Sequence, residues 1–431
     1  MRCSIEGDTD KDEGMNQDPS FWAQWLKPSA GFDTLHWSLL LAVASLVGYL
    51  FQRHLHMPKV LGYAVVGTLA GWFGFSATTW PLQGPVLFLL ELGVAMVLFE
   101  CGGRITLRWF RHNPMVLVQS LAEAAITYFA VFFALRWLDM PAMVATPLAL
   151  IAMAASPVVL ARVINDTRAV GPVTDRAMVL ATLSTLYALT LGSAKAEIFA
   201  HPSQSLWQDI TPVLVVLSVS VLVAALLCLA MRLALQWMNP TSENTSILML
   251  ALIAAATAIA AHFGGSAPLA ALLGGMMLKQ LHQRPWAWPR QLGTASSLLS
   301  MLLFVLVSTT AAQASWSGAV AMAVVVLVVA RLLAKAVGVG LGNIGSGASW
   351  RQAVWVACAM APMSAVALLI TSQFAQAAPQ AAQPIAATAL PAILLLELVG
   401  AVLATLALRR AGEGAMALPS SPPAPLPNAG D

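Results

Sequence analysis

The sequence predicts an all-α polytopic membrane protein with about thirteen transmembrane helices, and three observations carry the prediction. Of 431 residues, 59% are hydrophobic and only 10% charged, against about a quarter charged in soluble domains. Apolar runs long enough to cross roughly 30 Å of hydrocarbon as helices recur along the chain, where a membrane barrel would show short alternating segments. Lysines and arginines collect in alternate loops, as expected of a chain that crosses back and forth.

Residues 1–35 read as a polar tail, acidic between Glu6 and Asp18, without the basic-then-apolar order of a cleavable signal. Spans are then expected near 36–51, 58–75, 86–101, 115–135, 143–163, 177–194, 210–233, 246–262, 266–280, 295–313, 318–342, 352–373 and 386–408. Together they make one transmembrane domain, 36–408. Residues 409–431, rich in proline and alanine, are expected to be a disordered tail too short for a regulatory domain.

Loops after odd-numbered spans hold Arg53, Arg104, Arg108, Arg162, Arg176 and Arg284 among other basic residues, whereas the opposite loops hold only Arg136 and Lys195. By the positive-inside rule the basic side is cytoplasmic, so the N-terminus is expected outside and the C-terminus inside. The expected location is the inner (plasma) membrane, and a nucleic-acid partner is not indicated.

Cys3, Cys101, Cys228 and Cys358 lack metal or redox spacing, and His54 and His56, two apart, do not share a helical face. No metal site or cofactor is expected. Ionisable residues inside spans are costly and therefore functional candidates: Glu91, Glu100, Glu123, Arg331, Lys335 and Glu397. Glu100 lies near an interface within reach of Arg104. Glu123 in the fourth span, and Arg331 and Lys335 one turn apart in the eleventh, sit at comparable depth and invite a buried ion pair, which could serve ion coupling or simply lock two helices.

The fifth span carries Ser156-Pro157 at mid-depth, and the twelfth carries Pro362-Met363-Ser364. Proline frees backbone carbonyls near the bilayer centre, tolerated only where protein or a watery cavity receives them. These interruptions stand seven spans apart, as do the Glu123 span and the Arg331 and Lys335 span. Such correspondence points to an inverted-repeat transporter with its site at the repeat interface. The sixth span adds Ser184, Thr185 and Tyr187 as a small polar cluster. Gly62, Gly67 and Gly71, and Gly264, Gly265, Gly274 and Gly275, supply small faces suited to helix packing.

Pro58-Lys59-Val60-Leu61-Gly62-Tyr63 with Gly67 and Gly71, Glu91-Leu92-Gly93 through Gly102, Ser156-Pro157-Val158-Val159, Leu269 to Gly274, the Lys335 to Gly338 spacing, Pro362 with Ser364, and Glu397-Leu398-Val399-Gly400 resemble Kef-like monovalent cation:proton antiporters of the sodium/hydrogen exchanger superfamily. The resemblance runs from about residue 36 to 408. It implies a sodium/proton antiporter fold with two crossing interrupted helices, a homodimer in the lipid bilayer, and a scaffold against which a core moves like an elevator. It also implies a cation and proton site formed here by Ser156, Pro157, Ser184, Thr185, Tyr187, Glu123, Arg331, Lys335, Pro362 and Ser364. Typical members carry an aspartate in the helix after the first interruption; this chain has no acid between Ala177 and Ala194. The hydroxyls there can offer lone pairs to a monovalent cation but do not titrate near neutral pH.

The expected function is therefore secondary active exchange of sodium or potassium for protons. The alternative is a non-coupled or degenerate relative acting as a cation conduit or sensor. An enzyme is not expected, because His262 and His282 stand too isolated to pair a nucleophile with a base.

Overall fold

The computed structural model describes residues 32–74, 80–105, 113–200, 206–239, 242–281, 290–314, 316–344 and 348–414. The chain divides into a small unit, Met1–Leu39, and a large one, Leu40–Asp431. The first helix, α1 (Phe32–His54), supplies the described part of the small unit and begins four residues inside the stretch expected to be tail.

In the large unit α2 (Lys59–Trp72), α3 (Gly84–Gly102) and α4 (Met115–Trp137) come first, followed by α5 (Ala142–Met153), α6 (Pro157–Thr167) and α7 (Pro172–Ala200). Then come α8 (Leu206–Trp237), α9 (Glu243–His262), α10 (Ala267–Leu281), α11 (Arg290–Ala312) and α12 (Gly318–Gly342). The last are α13 (Trp350–Ala359), α14 (Ala365–Ala377) and α15 (Pro379–Arg410). Each predicted span thus meets one helix, except the fifth and twelfth, which meet a broken pair. Among the described residues nine segments are long and apolar enough to cross a membrane, and α5 with α6 counts as one of them.

The breaks have local causes. Pro157 has no N–H to continue α5, and the Ser156 side chain instead caps α6 by accepting from the Val159 N–H at 3.3 Å. In the second pair α13 opens with a capping box between Ser349 and Gln352 and stops at Ala359, ahead of Pro362. Proline alone does not break a helix here, since Pro147, Pro212, Pro384 and Pro391 all lie inside continuous helices.

Packing is closest between α4 and α12, α3 and α10, and α2 and α11. Glycine allows it. A Cβ on Gly338 would stand 2.5 Å from the Glu123 Cα, and one on Gly342 would stand 2.6 Å from the Gln119 Cα. On α12 the residues Val325, Val329, Leu333, Val337 and Leu341, four apart, are exposed, while Arg331, Lys335, Gly338 and Gly342 are buried. An apolar stripe faces outward and the charges face the protein, the reverse of a soluble helix.

The predicted acidic tail, 1–31, and the end of the C-terminal tail, 415–431, lie outside the described residues. The stretch before that end packs against α7. The Glu413 carboxylate accepts from the Val173 and Thr174 N–H groups at 2.8 and 2.7 Å, capping the α7 N-terminus from a distant part of the chain.

Candidate functional site

The two breaks meet. The Ser156 N–H donates to the Pro362 carbonyl at 3.0 Å, so the unwound strands 154–156 and 360–364 join at their centres. Two half-helices, α5 and α13, therefore end beside one another inside the protein, each with C-terminal carbonyls that the helix itself does not pair.

Arg331 of α12 answers both ends. Its Nε donates to the Ala152 carbonyl at 2.8 Å, Nη1 to Ala361 at 2.6 Å, and Nη2 to Ala154 at 2.9 Å and Pro362 at 3.3 Å. The guanidinium is fully buried, and its planar fork spans both helix ends, where positive charge is favoured. One turn on, the Lys335 ammonium forms a buried ion pair with Glu123 Oε1 and donates to the Met153 carbonyl at 3.2 Å. Of the two partners the sequence offered Glu123, Lys335 is the one it meets. Thr127 also donates to Glu123 Oε1 at 3.3 Å, while Glu123 Oε2 is buried without a hydrogen-bond partner.

The polar cluster on α7 completes the network. Ser184 Oγ donates to the Met153 carbonyl at 2.6 Å; Thr185 Oγ1 donates to the Ala155 and Ala181 carbonyls, each at 2.8 Å. Each hydroxyl proton is engaged, and each oxygen keeps lone pairs that could face a cation. Ser156, Pro157, Ser184, Thr185, Glu123, Arg331, Lys335 and Pro362 are thus drawn together. Tyr187 and Ser364 diverge from them. The Tyr187 hydroxyl pairs with Ser120 of α4 at 3.0 Å, and Ser364 Oγ donates to Glu397 at 2.8 Å.

A cavity of about 670 Å³ between α4, α5, α7 and α8 reaches Met153 and Tyr187. Its walls are mostly apolar, with Leu121, Phe129, Leu150 and Leu186 among them, and Lys195 is the charged residue on its lining. Glu100 pairs with Arg104 at 2.7 Å, as its depth suggested. Among the described residues no cluster of His, Cys, Asp and Glu could hold a metal ion.

The sequence reading missed the backbone acceptors at Ala152, Met153 and Ala154, which leave no mark on side-chain identity. It also missed Ser308, Thr127 and Gln119, whose Nε2 donates to the Val339 carbonyl at 2.8 Å. Ser308 had a signal: Ser308-Thr309-Thr310 is a polar run inside an apolar span.

The family description "sodium/hydrogen exchanger, transmembrane" matches residues 41–409, a stretch that takes in both breaks and every residue of this network. The chain belongs to the sodium/hydrogen exchanger family. No curated protein matches it. Among solved structures the chain is similar to the sodium proton antiporter MjNhaP1 from Methanocaldococcus jannaschii at pH 8, with TM-score 0.67, 16% identity, and 88% of this chain and 98% of that chain covered. The electron-microscopy map of the same antiporter gives TM-score 0.68 at 16% identity over 90% of this chain and all of that one. At that identity the likeness is one of fold.

Proposed function

We propose that this exchanger is a secondary active transporter that moves a monovalent cation, sodium or potassium, against protons. The observation that carries the reading is the meeting of two broken helices whose carbonyl ends are held by Arg331 and Lys335 of one helix. Arranged so, the backbone can bear charge at membrane depth, and oxygen lone pairs are set beside an unwound strand. Ser156, Ser184 and Thr185 line the path with hydroxyl oxygen. Arg331 and Lys335 fix the local charge, and Glu123 holds Lys335 in place. Tyr187 closes the path toward the large cavity. Pro157 and Pro362 keep the strands unwound, and Ser364 links the second strand to α15. The protein works as a homodimer in the plasma membrane, with its basic loops and C-terminus in the cytoplasm.

Calorimetry of sodium, potassium and lithium binding to the purified protein, in two buffers of different ionisation enthalpy, tests the coupling. Exchange predicts that binding heat depends on the buffer, because a proton leaves as the cation enters. Binding with buffer-independent heat would favour the uncoupled conduit, a reading for which the non-titrating hydroxyls on α7 argue.

A further inference from the structure

The meeting point of the breaks holds no surplus of negative charge, since the positive N-terminal ends of α6 and α14 also lie there. Arg331 and Lys335 face one carboxylate, Glu123, and two helix C-termini, each worth roughly half an elementary negative charge. A further cation entering there finds no surplus of negative charge. The deficit lies elsewhere, on α15.

Glu397 is fully buried. Its Oε1 accepts from Ser364 Oγ of the second unwound strand at 2.8 Å, and its Oε2 accepts from Ser308 Oγ of α11 at 3.0 Å. Three separate segments therefore supply oxygen to one small site, and glycine permits close approach at two of its edges. Gly400 of α15 lies against Pro362, where a Cβ would stand 2.6 Å from its Cα, and Gly67 of α2 lies against Ser308, where a Cβ would stand 2.9 Å from its Cβ.

No cationic side chain among the described residues pairs with this carboxylate. The elements packed on α15 are α2, α5, α6, α11, α12, α13 and α14. Of these, α5 and α14 carry no titratable group. On α12, Arg331 is committed to four carbonyls and Lys335 to Glu123. On α6, Arg162 donates to Ser296, Ser297 and Ser300, and Asp166 accepts the Lys59 N–H of α2. Lys59 and Tyr63 of α2, Cys358 and Arg351 of α13, and Arg409 and Arg410 at the end of α15 make no bond to Glu397. An unpaired carboxylate at this depth requires a compensating positive charge, which is a proton or a cation.

We infer that Glu397, with Ser308 and Ser364, is the group on which cation and proton compete. This rests on the exchange reading and names the site that performs it. The acid gives up its proton to water as the cation enters, and the carboxylate becomes the cation's counter-ion. A proton returns when the cation leaves. Ser308 belongs to α11, which packs chiefly on α2, whereas Ser364 and Glu397 belong to the helices gathered around the breaks.

Infrared difference spectra on adding sodium or potassium to the purified protein test the site independently of transport. Wild type and Glu91→Gln, which changes a carboxyl outside the site, should both lose a protonated-carboxyl band when the cation is added, and Glu397→Gln should show no such loss. In proteoliposomes Glu397→Gln should lower cation-driven proton flux at least tenfold, with Glu397→Asp recovering part of it. Ser308→Ala, which removes a donor to the charged form, should lower the flux and move its pH profile upward. If Glu397→Gln fails to fold, the Ser308→Ala profile and the wild-type band decide; an unmoved profile overturns the inference. So does a cation-dependent band that persists in Glu397→Gln. Wild-type liposomes without any cation-driven proton flux would overturn the exchange reading instead, and the infrared arm would still decide whether Glu397 binds cation against proton.

Discussion

Arg331 turns its whole donor fork on backbone carbonyls, bridging the ends of two half-helices that share no covalent neighbour. Lysine offers a compact point charge without the fork, so Arg331→Lys should leave at least one buried carbonyl unpaired and destabilise the protein by about 1–3 kcal/mol. Thermal unfolding in detergent checks this, and an unchanged midpoint would contradict it. The Glu123 and Lys335 pair behaves differently, because either partner left alone is an uncompensated buried charge. Glu123→Gln should cost about 3–5 kcal/mol, and Glu123→Gln with Lys335→Met much less than the sum of the single changes. Simple additivity in the double-mutant cycle would mean that the two groups do not interact. This pair was legible in the sequence from depth alone, since opposite charges sat at similar positions in spans seven apart. Arg331's role was not, because its acceptors are carbonyls that every residue carries. Glu397 was visible as a buried acid but not its partners, which come from spans distant in the chain.

At the scale of helices, the apolar runs marked each span because nothing but a helix satisfies a lipid-exposed backbone. The breaks were legible where proline adjoins a serine able to cap or link, as at Ser156-Pro157 and Pro362-Met363-Ser364. Pro147 and Pro391 carry the same residue type within continuous helices, so proline alone does not mark a break; Pro157 is joined by the Ser156 cap, and Arg331 donates to carbonyls at both breaks. Close packing of α4 on α12 depends on Gly338 and Gly342, and it is this closeness that lets Lys335 reach Glu123. Gly338→Val should therefore push α4 away at a cost of about 1–3 kcal/mol or more, whereas Val337→Leu on the outward stripe should be nearly neutral. Unfolding midpoints of the two variants give the comparison, and equal effects would contradict this account of the interface.

Across the molecule, the alternation of basic loops predicts which end of each helix faces the cytoplasm. Single cysteines placed at Arg168 and Asp139, in a background without the native cysteines, should label from opposite sides of intact membranes, with position 168 reached only from the cytoplasmic side. These positions flank the broken α5 and α6 pair, so labelling from one side would remove the crossing on which the repeat depends. The exchange itself is most directly tested by ion-dependent proton flux in proteoliposomes containing only this chain, scanned over pH with sodium, potassium and lithium. The account predicts that an inward gradient of at least one of these cations drives protons outward, and that the flux falls away toward both acid and alkaline pH as proton or cation monopolises the site. Cation uptake that proceeds with no movement of protons at any pH would contradict it.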